Sequence, residues 1–126
     1  MIALDTNVLV RYLTDDDPEQ RERARDLIVS SERIFVGTVV MAETYWALAQ
    51  VYGYPRRAIL DAFAALLASD AFEFEERDTL EAFVSGPPGD LADAFIARAA
   101  ERRGAGTVYT FDRRAANRID AMELVP

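Results

Sequence analysis

Five carboxylates at four places in the chain have the types and neighbours to do chemistry: Asp5, Glu43, the pair Asp90 and Asp93, and Asp112. Asp5 ends the apolar run Ile2-Ala3-Leu4 and is followed by the small polar residues Thr6 and Asn7; Asp112 ends the run Thr107-Val108-Tyr109-Thr110-Phe111. Glu43 stands in an otherwise apolar stretch. It must be solvated at an opening or compensated by an arginine or a metal, because an ionised group left alone in apolar surroundings shifts its pKa or costs stability. Asp90 and Asp93, three apart, share one face of a helical first turn. Each position also has a plainer reading. Asp5 or Asn7 would cap a helix starting near Val8, Glu43 would lie on a narrow exposed stripe, and Asp90 as N-cap with Asp93 at N3 resembles a capping box.

The missing residue types narrow the chemistry. The chain has no histidine and no cysteine, and all 14 of its basic residues are arginines. Ser/His/Asp and Cys/His nucleophilic catalysis, thiolate or imidazole zinc sites, and P-loop or Schiff-base lysines are therefore excluded. Carboxylates, arginines, hydroxyls and a metal remain. A bare acidic cluster would oppose itself, since each like-charged pair at ~5 to 6 Å costs on the order of 3 kcal/mol at an effective dielectric of ~20. A divalent cation removes that repulsion, and all-oxygen ligation favours Mg²⁺ or Mn²⁺ over zinc. The net charge of −8 does not exclude RNA. Acids concentrate in Asp15 to Asp26 and Glu73 to Glu81, whereas Arg98, Arg102, Arg103, Arg113, Arg114 and Arg118 fall in the last third, and local cations decide whether phosphate can approach.

The elements that must position these residues follow from periodicity and punctuation. Ile2-Ala3-Leu4 reads as a strand buried on both faces, and Asn7 to Leu13 as a short helix. Asp15-Asp16-Asp17-Pro18 is a solvated acidic turn lacking EF-hand spacing, and Pro18 opens a helix with Ala24, Leu27 and Ile28 on its apolar face. Ile34-Phe35-Val36 has strand character, with Thr38 placed to cap a helix from Val39 to Tyr52 that is apolar nearly all round. Pro55 starts another helix, with Ile59, Leu60, Phe63, Leu66 and Leu67 at helical spacing. Phe72 to Glu75 alternates as a strand, Arg77 to Val84 is helical, and Ser85-Gly86-Pro87-Pro88-Gly89 is a loop. The helix from Asp90 closes at Gly104, and the chain ends in a further helix and the edge strand Met122 to Val125. At 126 residues this is one domain, residues 1–126. No apolar segment approaches a membrane span and Asp5 interrupts any signal-peptide pattern, so a soluble cytoplasmic protein is expected. In such a βα-alternating chain, strand ends and the following helix starts gather at one sheet edge, so the acids can converge.

At Leu4-Asp5-Thr6-Asn7, Glu43, Asp90-Leu91-Ala92-Asp93-Ala94 and Thr110-Phe111-Asp112 the chain resembles the PIN-domain ribonucleases. In length and layout it is similar to the VapC-type toxins of toxin–antitoxin pairs. The resemblance spans nearly the whole chain. It implies an α/β three-layer domain, with a mostly parallel sheet of strand order 3-2-1-4-5 and helices on both faces. It assigns Asp5, Glu43, Asp93 and Asp112 to an acidic metal site, supported by Asn7, Asp90 and Thr110. Metal-assisted RNA hydrolysis is then expected, with one or two Mg²⁺ or Mn²⁺ ions, a small cognate antitoxin and a homodimer as partners. Arg98, Arg102, Arg113 and Arg114 are candidates to hold flanking phosphates. Two other classes compete. One is a non-catalytic α/β binding module; the other is an Asp-based phosphoryl-transfer domain, which would use a lysine or a second Asp where this chain has Asn7.

Overall fold

A computed structural model of the chain describes residues 1–86 and 89–126. They form an α/β protein of two compact units, Met1–Arg77 and Asp78–Pro126. The first unit runs β1 (Ile2–Ala3), α1 (Thr6–Leu13), α2 (Pro18–Val29), β2 (Ile34–Val36), α3 (Thr38–Trp46), a π-turn at Ala47–Val51, α4 (Arg56–Ala68) and β3 (Phe72–Phe74). Its three strands are parallel in the order β1-β2-β3, with Ile2 opposite Ile34 and Ile34 opposite Phe72. Parallel neighbours need a crossover, and the helical segments between the strands supply it. Leu9, Ile34, Met41, Leu48, Ile59 and Phe63 are its most completely buried large apolar side chains.

Helix α5 (Arg77–Ser85) begins at the last residue of the first unit, and α6 (Leu91–Arg102), β4 (Val108–Thr110), α7 (Arg113–Arg118) and β5 (Met122–Leu124) follow. Strands β4 and β5 pair in parallel, Val108 opposite Met122 and Thr110 opposite Leu124. The end of α6 shows why its sequence stops there. Gly104 takes φ +79°, its N–H donates to the Glu101 carbonyl, and the Ala105 N–H donates to Ala100. This is a Schellman closure, in which glycine carries the left-handed conformation without a Cβ penalty.

Among the described residues the strands pair as two parallel ladders, β1-β2-β3 and β4-β5, which hold the expected neighbours 3-2-1 and 4-5. Several expectations are corrected. Strand β1 is the edge of its three-stranded ladder, and Ala3 is exposed, so this strand is not buried on both faces. Thr38 is the first residue of α3 and not its cap. Gly37 holds the cap position, and the Glu75 carboxylate accepts the Thr38 N–H at 3.0 Å. A side chain at Gly37 would crowd that carboxylate, because a Cβ there would lie 3.2 Å from Glu75 Oε1. The helix expected from Val39 to Tyr52 is α-helical only to Trp46, and then widens into the π-turn. Asp112 lies beyond β4 and belongs to the start of α7. Pro87 and Pro88, within the expected loop, lie outside the described residues.

Candidate functional site

The carboxylates in the first unit meet through one residue. Asp5 caps α1, its Oδ1 accepting the Thr6 N–H at 2.7 Å, while the Thr6 hydroxyl donates to Glu43 Oε1 at 2.7 Å. Backbone and side chain of Thr6 thus tie the end of the β1 segment to the middle of α3. Both acids are exposed and face an opening. That opening is a cleft of about 420 Å³ whose lining includes Asp5, Asn7, Arg11, Glu43 and Tyr52.

One wall of the cleft is a network invisible in the sequence. Arg11 donates through Nη1 to both carboxylate oxygens of Asp16, at 2.8 and 2.9 Å, and through Nε to Gln20 at 2.7 Å. The Tyr52 hydroxyl donates to Asp16 Oδ2 at 2.8 Å. This bond, and then Arg11, hold the Asp16 carboxyl below the usual carboxylate range. The rest of the acidic turn is occupied too. Asp15 pairs with Arg21 at 2.6 Å, and Asp17 caps α2 by accepting the Gln20 N–H at 3.0 Å. The triple aspartate is structural.

In the second unit Asp90 caps α6, its Oδ1 accepting the Asp93 N–H at 3.1 Å, which is the forward half of the expected capping box. Asp93 is half-buried, and its carboxyl is pushed above the ordinary range. Burial is the larger cause, and the negative charges of Asp90 and then Asp112 add to it. Asp112 caps α7, Oδ1 accepting the N–H groups of Arg114 at 2.9 Å and Ala115 at 3.2 Å, while its own N–H donates to Thr110 Oγ1 at 3.0 Å. Thr110 therefore braces the Asp112 backbone. Among the arginines expected to hold phosphate, Arg98 is paired with Glu101 at 2.8 Å, while Arg102, Arg113 and Arg114 are exposed.

The expected acids thus stand as two sets, Asp5 with Glu43 and Asn7, and Asp93 with Asp90 and Asp112. Among the described residues no three acids form a ready-made metal group. The donor chemistry nevertheless suits a hard divalent cation. Every donor is an oxygen, and Asp93 sits in the field of two other carboxylates that an added positive charge would relieve. Replacing Asp90 with alanine tests both of its effects. Loss of the cap should cost about 1 kcal/mol in a denaturant melt, and the Asp93 carboxyl, followed by NMR titration, should move down towards its ordinary range because one repelling charge has gone.

No described helix is long and apolar enough to cross a membrane. No curated protein matches the chain. The family model for the PIN domain, by contrast, matches residues 2–121, a span that includes every one of these acids. PIN domains are generally nucleases that act on nucleic acid with divalent metal ions, and by this match the chain belongs to the PIN-domain family.

Proposed function

We propose that residues 1–126 form one PIN domain that hydrolyses RNA phosphodiester bonds as a Mg²⁺- or Mn²⁺-dependent endoribonuclease. The observation that carries the reading is the PIN-domain match over residues 2–121, which spans all of these acids, with Asp93 set at the start of α6 beside Asp90. A half-buried carboxylate repelled by two neighbours is an unfavourable structural element but a suitable cation ligand. In this reading Asp5, Glu43, Asp93 and Asp112 would hold one or two ions, as the family strand order 3-2-1-4-5 would allow. The bound cation supplies activation of a water and neutralisation of charge on the phosphate. Asp5 and Asp112, each fixed as a helix cap, present carboxylates of defined orientation. Glu43, tethered by Thr6, would help hold a second ion or orient the attacking water, and Asn7, Asp90 and Thr110 would support these acids. Arg98, Arg102, Arg113 and Arg114 would meet flanking phosphates.

The VapC-like layout extends the proposal to a type II toxin, cytoplasmic, held inactive by a small antitoxin and working as a homodimer. Val39 and Trp46, at 69% and 59% exposure on α3, offer apolar surface that such an assembly would cover. The decisive experiment is cleavage of single-stranded or loop RNA by the purified chain. Cleavage should require Mg²⁺ or Mn²⁺ and stop on chelation, then return when the ion is restored. Cleavage that persists unchanged in chelator would overturn the metal-dependent reading. A protein that neither cleaves RNA nor gains thermal stability from either ion would be the non-catalytic binding module.

A further inference from the structure

Phe111 is 84% exposed, more than any other large apolar side chain among the described residues. It occupies no loose loop. On one side Thr110 is held by β4 pairing, and its carbonyl accepts the Val125 N–H at 3.0 Å. On the other, Asp112 is fixed by its bond to Thr110 and by capping α7. The ring is therefore carried on a braced peptide between two ordered elements, and little freedom remains to be lost on binding. Tyr109, two residues earlier in β4, is 61% exposed. Asp112, Arg113 and Arg114 follow directly, all exposed.

We propose that Phe111 is a stacking platform for a nucleobase of the RNA strand, one that seats the strand beside Arg113 and Arg114. The inference rests on the ribonuclease reading and deepens it by naming a base-binding position. The flanking charges choose the occupant. An apolar protein surface laid over Phe111 would have to desolvate a carboxylate and two guanidinium groups, which is costly without matched partners. A base needs only the ring face and leaves those charges in water, while the adjacent phosphates meet Arg113 and Arg114. Such stacking accepts any base, so the position would fix where the strand lies and not which sequence is read.

The test is steady-state cleavage of a labelled single-stranded oligoribonucleotide by the whole chain with Mn²⁺. Phe111→Ala should raise KM by roughly tenfold with kcat little changed, and thermal melts should be unaltered because the side chain is exposed. Phe111→Trp should keep a near-native KM, whereas Phe111→Leu should behave like alanine. Val29→Ala, which removes a 72% exposed apolar side chain from α2, serves as the control and should leave KM unchanged. If the native chain cleaves and Phe111→Ala has its KM, the stacking role is wrong while the ribonuclease reading stands. A leucine variant equal to the native chain would also overturn it, since apolar contact without an aromatic face would then suffice. If the native chain does not cleave, the ribonuclease reading fails and the platform fails with it.

Discussion

Asp93→Asn should lower RNA cleavage by about a thousandfold or more, while the variant melts no earlier than the native protein. The activity loss follows from removing a cation ligand, a contribution of several kcal/mol at roughly 1.4 kcal/mol per tenfold in rate. The stability result follows from the carboxyl's raised pKa, caused first by burial and then by Asp90 and Asp112. An acid whose folded pKa lies above its unfolded value binds more protons when folded, so stability falls as pH rises through that interval. The penalty is absent below the ordinary Asp value of about 3.9 and complete once pH exceeds the raised value. Asparagine carries no such penalty. In metal-free buffer the variant's advantage should therefore be greatest near neutral pH and should shrink on acidification through this window. Urea melts at several pH values check the sign, and the cleavage assay checks the loss. A variant that retains native cleavage, or that gains its advantage only in acid, would contradict the assignment.

The largest expected effect on stability is at Phe63. Its ring is fully buried in α4 and meets Tyr45 at 6.4 Å between centroids with a 58° tilt, an edge-directed aromatic pairing. Phe63→Ala removes the ring and leaves a cavity that helices α3 and α4 cannot fully close, at a cost of about 3–5 kcal/mol. That is a large share of the roughly 5–15 kcal/mol typical of a folded domain. The urea midpoint should drop steeply with the slope little changed, which separates lost packing from a change in how much surface unfolding exposes. A loss below about 1 kcal/mol would show that the ring is not packed as its burial indicates.

What was legible in the sequence was local. Pro18 at the start of α2, Asp90 before α6 and Gly104 after it are signals carried by neighbouring residues, and the structure uses each in the expected role. The helical spacing of Ile59, Leu60, Phe63 and Leu66 similarly identifies the face that α4 buries. What stayed hidden depends on partners far along the chain. The carboxylate at the start of α3 comes from Glu75, 37 residues beyond Thr38. Tyr52 reaches Asp16 across 36 residues, and no pattern near either position announces it. The candidate site divides in the same way. Its acids were conspicuous because strands and helix starts frame them, but Thr6, which joins Asp5 to Glu43, looks in sequence like one more small polar residue.

The π-turn after α3 has a consequence for how this protein lines up with its relatives. The Tyr52 N–H donates to the Ala47 carbonyl five residues back, so this turn holds more chain than an α-turn does. A helical wheel drawn at 3.6 residues per turn would thus carry Glu43 at its true azimuth and rotate Tyr52 away from Asp16 by roughly 100°. The helix behaves as two segments with independent phases, one setting the acid and the other the phenol. A homologue shorter by one residue between Ala47 and Val51 could keep the acid yet lose the hub that anchors Arg11, and a gapless comparison would conceal the difference.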